Sequence, residues 1–164
     1  MKNILIRDSN ELDYQTIVDI NDVEVQHTSP MDVKHLRDLD QFSAYHRVAV
    51  VEGNVAAFLL AIGENCSYQN ENYEWFSSRY TKFLYIDRIV VDAKYGGLKI
   101  GTMLYRDIFH YARSNSIPII TCEYNLVPPN EPSRVFHEKF GFKEVGMQWT
   151  SNSTKRVSLQ AAEV

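Results

Sequence analysis

Three glycines fall within six residues of a chain that contains seven: Gly96, Gly97 and Gly101. They lie in Val91-Asp92-Ala93-Lys94-Tyr95-Gly96-Gly97-Leu98-Lys99-Ile100-Gly101-Thr102, between an apolar run typical of a strand and a repeat typical of a helix. Glycine adopts positive φ without strain and lets another group approach the backbone closely. N–H groups exposed at a helix start, aided by the helix dipole, bind anions, phosphate in particular. The spacing therefore describes a strand–loop–helix phosphate cradle. Gly96 and Gly101 have Walker A spacing, but Thr102 stands where that motif needs lysine. A dinucleotide GxGxxG is absent, and the cluster lies mid-chain instead of after the first strand. A tight turn that holds no ligand is the alternative, and spacing alone leaves both open.

Other chemistry-bearing residues are dispersed. Cys66 and Cys122 form no CxxC, and Cys122 falls in an apolar strand pattern, as a core thiol would. His27, His35, His46 and His110 lack metal-ligand spacing, so no metal site is expected. A formal charge of -4 gives no broad footprint for nucleic acid. The chain has 164 residues, 45% of them apolar and 23% charged, which suits one globular domain over residues 1–164. The N-terminal residues turn polar after Ile4-Leu5-Ile6, and no run approaches the ~20 apolar residues of a membrane span. A cytoplasmic location without membrane association is expected.

The elements that must position the glycine loop follow from periodicity. Ile4 to Ile6 predicts a strand, Leu12, Thr16, Ile20 and Val23 a helix, and Met31 to Leu39 a second helix. Arg47–Glu52 and Val55–Ile62 flank Gly53-Asn54 as a hairpin. Residues 63–80 break the pattern yet carry five aromatics; they read as a lid-like binding loop or as a surface loop pinned by those rings. Phe83 to Asp92 is the clearest strand, and Lys99 to Ala112 reads as an amphipathic helix. Ile117 to Tyr124 is a further strand. A helix from Asn130 to Phe140 is capped by Asn130 and ended by Gly141. Phe142–Thr150 and Thr154–Gln160 form a closing antiparallel pair. The order βααβββαβαββ means an α/β (α+β) domain in which helices cover a sheet.

The glycine segment resembles the acyl-CoA-binding motif of the GNAT superfamily of N-acetyltransferases, V-x-P-x-x-R-G-x-G-I-G. Val91, Ala93, Gly97, Ile100 and Gly101 fall on the valine, proline, glycine, isoleucine and final glycine. Gly96 replaces the usual arginine or glutamine, and Lys99 replaces the middle glycine. Downstream, Asn130-Glu131-Pro132-Ser133-Arg134-Val135-Phe136-His137-Glu138-Lys139-Phe140-Gly141-Phe142 resembles the family's N-x-x-A-x-x-L-Y-x-K-x-G-F. The resemblance implies a mixed, mostly antiparallel sheet of about six to seven strands flanked by about four helices. It also implies transfer of an acetyl group from acetyl-CoA to an amine of a small molecule or peptide. A non-catalytic acyl-CoA sensor with the same fold is the alternative, and a homodimer stays open.

On that resemblance, the pantetheine arm of coenzyme A runs along Ile89, Val90 and Val91 like an added strand. The amides of Gly96, Gly97, Leu98, Lys99, Ile100, Gly101 and Thr102 then hold the pyrophosphate. Asn130, Ser133, Phe136 and Lys139 match positions beside the arm. The acceptor amine must lose a proton and the sulfur must gain one; a well-placed base or acid each contributes ~10²–10⁴-fold. Base candidates are Asp87 and Glu123 on the two central strands, with a salt bridge as the alternative role for either. The family's acidic tyrosine falls at His137, with Tyr124 and Tyr105 as substitutes. Acceptor recognition is expected from residues 21–35 and 63–80.

Overall fold

A computed structural model describes residues 2–24, 28–150 and 152–164. The expectations for residues 25–27, including His27, and for Ser151 lie outside these. Twelve elements follow in order: β1 Ile4–Asp8, α1 Tyr14–Val23, α2 Val33–Phe42, β2 Ser43–Val51, β3 Asn54–Gly63, α3 Glu71–Ser77, β4 Leu84–Val91, α4 Ile100–Ser114, β5 Ile119–Val127, α5 Glu131–Lys139, β6 Lys143–Thr150 and β7 Lys155–Glu163. The seven strands form one mostly antiparallel sheet in the order β1-β2-β3-β4-β5-β7-β6. By contacts the chain divides into two compact units, Met1–Ile62 with Ile86–Tyr111 and Gly63–Tyr85 with Ala112–Val164. β4 and α4 each continue from one unit into the other.

In the first unit the hairpin between β2 and β3 turns on Glu52 and Gly53, both at positive φ (49° and 83°). Two consecutive positive values are what a tight hairpin with the strands' own twist requires. The turn thus lies one residue earlier than the Gly53-Asn54 expected. β3 carries an unbroken apolar run, and Ala56 to Ile62 are all buried, as in a strand covered on both faces. The first helix is rotated from its expected phase. Asn10 caps a 3₁₀ turn at Glu11–Asp13, so α1 starts at Tyr14 and buries Tyr14, Ile17, Ile20 and Asn21. Leu12 and Val23, expected on the apolar face, are exposed.

In the second unit α3 replaces the expected loop. Asn70 starts it by accepting from the N–H groups of Asn72 and Tyr73. Tyr73 and Phe76 are buried, with ring centroids 5.7–5.9 Å from those of Phe83 and Tyr85. Burying each such ring contributes roughly 1.5–3 kcal/mol, which is how a helix of seven residues persists. The aromatics therefore pin the segment, but as a helix. Trp75 lies against Gly146 of β6, where an added Cβ would overlap the indole. β6 pairs only with β7 among the described residues, with a register shift between Glu144 and Gly146. Its other face carries Val145, Met147 and Trp149, all exposed.

The clamp of α3 on β6 has a direct test. Gly146→Ala should lower the urea-unfolding free energy by about 1–3 kcal/mol, the usual range for an overpacked contact. An unchanged midpoint would show that the indole moves aside at no cost.

Candidate functional site

The glycine loop in the first unit is built from the end of β4 onward. Along β4, Asp87, Ile89 and Val91 share one half-buried face by strand alternation, while Arg88 and Val90 are buried on the other. Asp92 N–H donates to Ala56 O at 2.8 Å, and the Asp92 carboxylate accepts from Lys94 N–H at 3.0 Å, starting a 3₁₀ turn over Ala93–Tyr95. Gly96 has an ordinary φ of -58°, and its N–H is bonded to Ala93 O at 3.1 Å. Its amide therefore serves the turn, not the cradle expected of it. Gly97 sits at φ +84°, the conformation that favours glycine. Lys99 follows at φ 59°, uncommon for a residue with a side chain.

The first intrahelical bond of α4 runs from Met103 N–H to Lys99 O at 3.1 Å. Lys99 is thus the N-cap, and the amides of Ile100, Gly101 and Thr102 precede any i−4 carbonyl. A lysine side chain has donors only, so it cannot cap those amides, and its charge sits at the positive end of the helix dipole. The sequence has placed a strained cation where Ser, Asp or Asn would ordinarily stand.

Asp87 is held by its neighbour. Arg88 Nε donates to Asp87 Oδ2 at 2.8 Å, with both side chains buried. The same guanidinium donates to Asn21 Oδ1 at 3.2 Å, Ser29 O at 2.9 Å and Ser29 Oγ at 2.9 Å. The salt bridge considered from the sequence is therefore present. Asp87 balances the arginine that anchors residues 29–31, part of the segment expected to meet the acceptor.

In the second unit Glu123 has different company. Tyr85 OH donates to Glu123 Oε1 at 2.8 Å, and Asn72 Nδ2 donates to the same oxygen at 3.0 Å. Gln148 Nε2 in turn donates to Asn72 Oδ1 at 2.8 Å. Tyr85 and Asn72 are both neutral donors, and they converge on one oxygen of the carboxylate. Beside it, burial pushes the Cys122 thiol well above its ordinary range, the state of an inert core thiol. Glu123 was legible as a strand carboxylate. Asn72, Tyr85 and Gln148 were not read from the sequence, although Gln148 shares strand parity with Gly146.

The α5 residues form a local set. Asn130 Oδ1 accepts from Ser133 N–H at 3.4 Å and so caps the helix as expected. His137 Nδ1 lies 2.6 Å from Ser133 O and 3.1 Å from Ser133 Oγ. Because a carbonyl only accepts, Nδ1 carries the proton and Nε2 a lone pair. The ring is 5% exposed and packs against Tyr124, Phe136 and Phe142 at 5.9, 5.5 and 5.2 Å. Burial holds its pKa below the ordinary 6.5. A neutral imidazole in this tautomer has its single N–H engaged, so it differs from the proton donor expected at this position. Tyr124 OH accepts from Gln160 Nε2 at 3.3 Å, and Phe136 is half-buried while Lys139 is exposed. Tyr105 is fully buried.

A model of the acetyltransferase (GNAT) family matches residues 7–142. No curated protein sequence matches the chain. Among solved structures, Ard1 from Thermoplasma volcanium superposes with a TM-score of 0.77 at 18% identity, over 98% of this chain and 97% of that one. The ribosomal-protein-S18-alanine N-acetyltransferase from Escherichia coli gives 0.73 at 14%, over 99% and 94%. Arabidopsis thaliana Naa50 in complex with the bisubstrate analogue CoA-Ac-MVNAL gives 0.73 at 15%, over 98% and 99%. At these identities the likeness is one of fold. Among the described residues no helix is long and apolar enough to cross a membrane.

The buried imidazole makes stability depend on pH. With a folded pKa below the unfolded 6.5, the folded chain resists the proton that the unfolded chain accepts. Stability should therefore fall as pH drops below about 6.5, well before carboxylates near 3.8 titrate. Urea midpoints between pH 8 and 5 should show this decline, and His137→Phe should flatten it. An equal slope in the variant would assign the decline elsewhere.

Proposed function

The chain belongs to the GNAT acetyltransferase family, and from that premise we propose that it moves an acetyl group from acetyl-CoA directly to an amine of a small molecule or peptide. Acetyl-CoA is the donor that the family uses. The observation that carries the reading is the start of α4. Gly97 opens the backbone, Lys99 cannot cap, and the amides of Ile100 to Thr102 come before the first i−4 bond of the helix, which fits a pyrophosphate. The proposed cradle is Gly97, Leu98, Lys99, Ile100, Gly101 and Thr102, with Lys99 supplying the cation that Gly96 lacks.

The parallel ladder between β4 and β5 comprises Leu84↔Ile120 and Tyr85↔Thr121. So short a ladder supports the proposal that Ile89, Val90 and Val91 pair with the pantetheine amides as a neighbouring strand would. On α5 the polar atoms of Asn130 and Ser133 serve the cap and His137, so these two shape the helix start, while Phe136 and Lys139 offer side chains to the arm. Bound in this way, acetyl-CoA supplies a thioester carbonyl to an incoming amine.

Glu123 is the proposed proton acceptor for that amine, ahead of Asp87, which is neutralised by Arg88. The hydrogen bonds of Tyr85 and Asn72 hold the carboxylate in orientation. His137 is then a packing residue that orders α5 under Tyr124. Positioning of the two substrates supplies much of the remaining rate. A sensor without chemistry would have no use for a carboxylate held in place by two polar side chains.

Release of CoA should be measured with spermidine and with free-N-terminus pentapeptides, beside acetyl-CoA binding by calorimetry. Turnover with at least one acceptor is expected, and Glu123→Gln should reduce kcat by about 10²–10⁴-fold. Binding without turnover on any amine would support the sensor instead. Gly97→Val, forced to positive φ, should weaken CoA binding at least tenfold. Undiminished affinity there would remove the loop from the cradle.

A further inference from the structure

We propose that Asn72 and Gln148 are positioning residues for Glu123, an inference that rests on the reading of Glu123 as the base. An asparagine amide can present either end to a neighbour, and a carboxylate accepts only one of them. The carboxylate, which only accepts, decides which, and Gln148 completes the order: Asn72 Nδ2 faces Glu123 Oε1 at 3.0 Å, and the freed Oδ1 accepts from Gln148 Nε2 at 2.8 Å. With the amide reversed, a carbonyl oxygen would face the carboxylate, and the contact to Glu123 would be lost. The relay, from β6 through α3 to β5, thus ends on the carboxylate and holds Asn72 from a residue 76 positions away in the chain.

The backbone under Asn72 is fixed for independent reasons. Asn70 caps α3, Tyr73 and Phe76 are buried among rings, and Trp75 closes on Gly146. Packing alone would be served at Asn72 by a leucine of similar volume, and burying an amide is unfavourable unless both of its ends are bonded. Both are, and one of them is bonded to the candidate base. Tyr85 OH meets the same Oε1 at 2.8 Å, so the carboxylate is held from two directions. Two converging donors restrict rotation of the carboxyl group, which is what a proton acceptor needs to meet an amine in a reproducible geometry.

The test is a double-mutant cycle on CoA release, using whichever of spermidine or the pentapeptides turns over fastest. Asn72→Leu should lower kcat on the order of tenfold, as loss of a hydrogen bond to a charged group would, with the KM for acetyl-CoA unchanged. In a Glu123→Gln background the same substitution should cost nothing further. Gln148→Leu, at a half-exposed position on an edge strand, should show the same split with a smaller loss. It carries the cycle by itself if thermal unfolding shows that Asn72→Leu does not fold. Full activity in the single variants, or losses that multiply in the Glu123→Gln background, would overturn the inference while leaving the base in place. Wild-type turnover in Glu123→Gln would overturn the base itself, and this proposal with it.

Discussion

A carboxylate withdrawn from water has to be met by donors, and much of the second unit is arranged to meet the one at Glu123. β5 brings the side chain, β4 brings the Tyr85 hydroxyl, and α3 brings the Asn72 amide. None of these can be moved alone. The rings of Tyr73 and Phe76 that seat α3 also pack against Tyr85, so the hydrophobic contacts that stabilise the helix align two of the polar groups. Gly146 then lets β6 come close enough beneath Trp75 for Gln148 to complete the chain of amides. Burial and hydrogen bonding here are one arrangement: the apolar contacts set distances that the polar contacts require.

The first unit answers a different constraint, that of a helix entered through a lysine at positive φ. Asp92 is anchored to Ala56 and starts a 3₁₀ turn, Gly97 reverses the backbone sense, and Lys99 delivers the chain into α4 at positive φ. Conformational strain of this kind persists where surrounding structure enforces it. Here the Asp92 N–H bond to Ala56 O ties the start of the loop to the buried strand β3. The ion pair of Asp87 with Arg88 belongs to the same scaffold, because the arginine holds Ser29 and Asn21 in register with β4.

What was legible in the sequence is what depends on neighbours a few residues away. The apolar alternation of β4, the glycines at 96–101, the Asn130 cap and the turn at Gly53 each carry their cause within one turn of chain. α3 was hidden because seven residues give too short a window for a helical repeat, and its aromatics contact β4 and β6 instead of repeating along one face. The face of α1 was misjudged because Leu12 belongs to the 3₁₀ turn ahead of the helix, which shifts the phase. Glu123 could be picked as a strand carboxylate, but its partners lie 38 and 51 residues away and nothing local marks them. His137 was placed on α5 and its environment missed, since burial by Phe136, Phe142 and Tyr124 is a tertiary property.

The register shift at Val145 bears on how the molecule behaves among its own copies. A sheet that ends in a straight strand offers a ruled edge on which further strands can stack without limit. β6 ends this sheet with a valine, a methionine and a tryptophan facing outward, a composition that invites such growth. The extra residue between Glu144 and Gly146 kinks that edge, so a second strand laid along it loses step partway. The irregularity beside Gly146 thereby breaks the even spacing that a further strand would need for regular pairing.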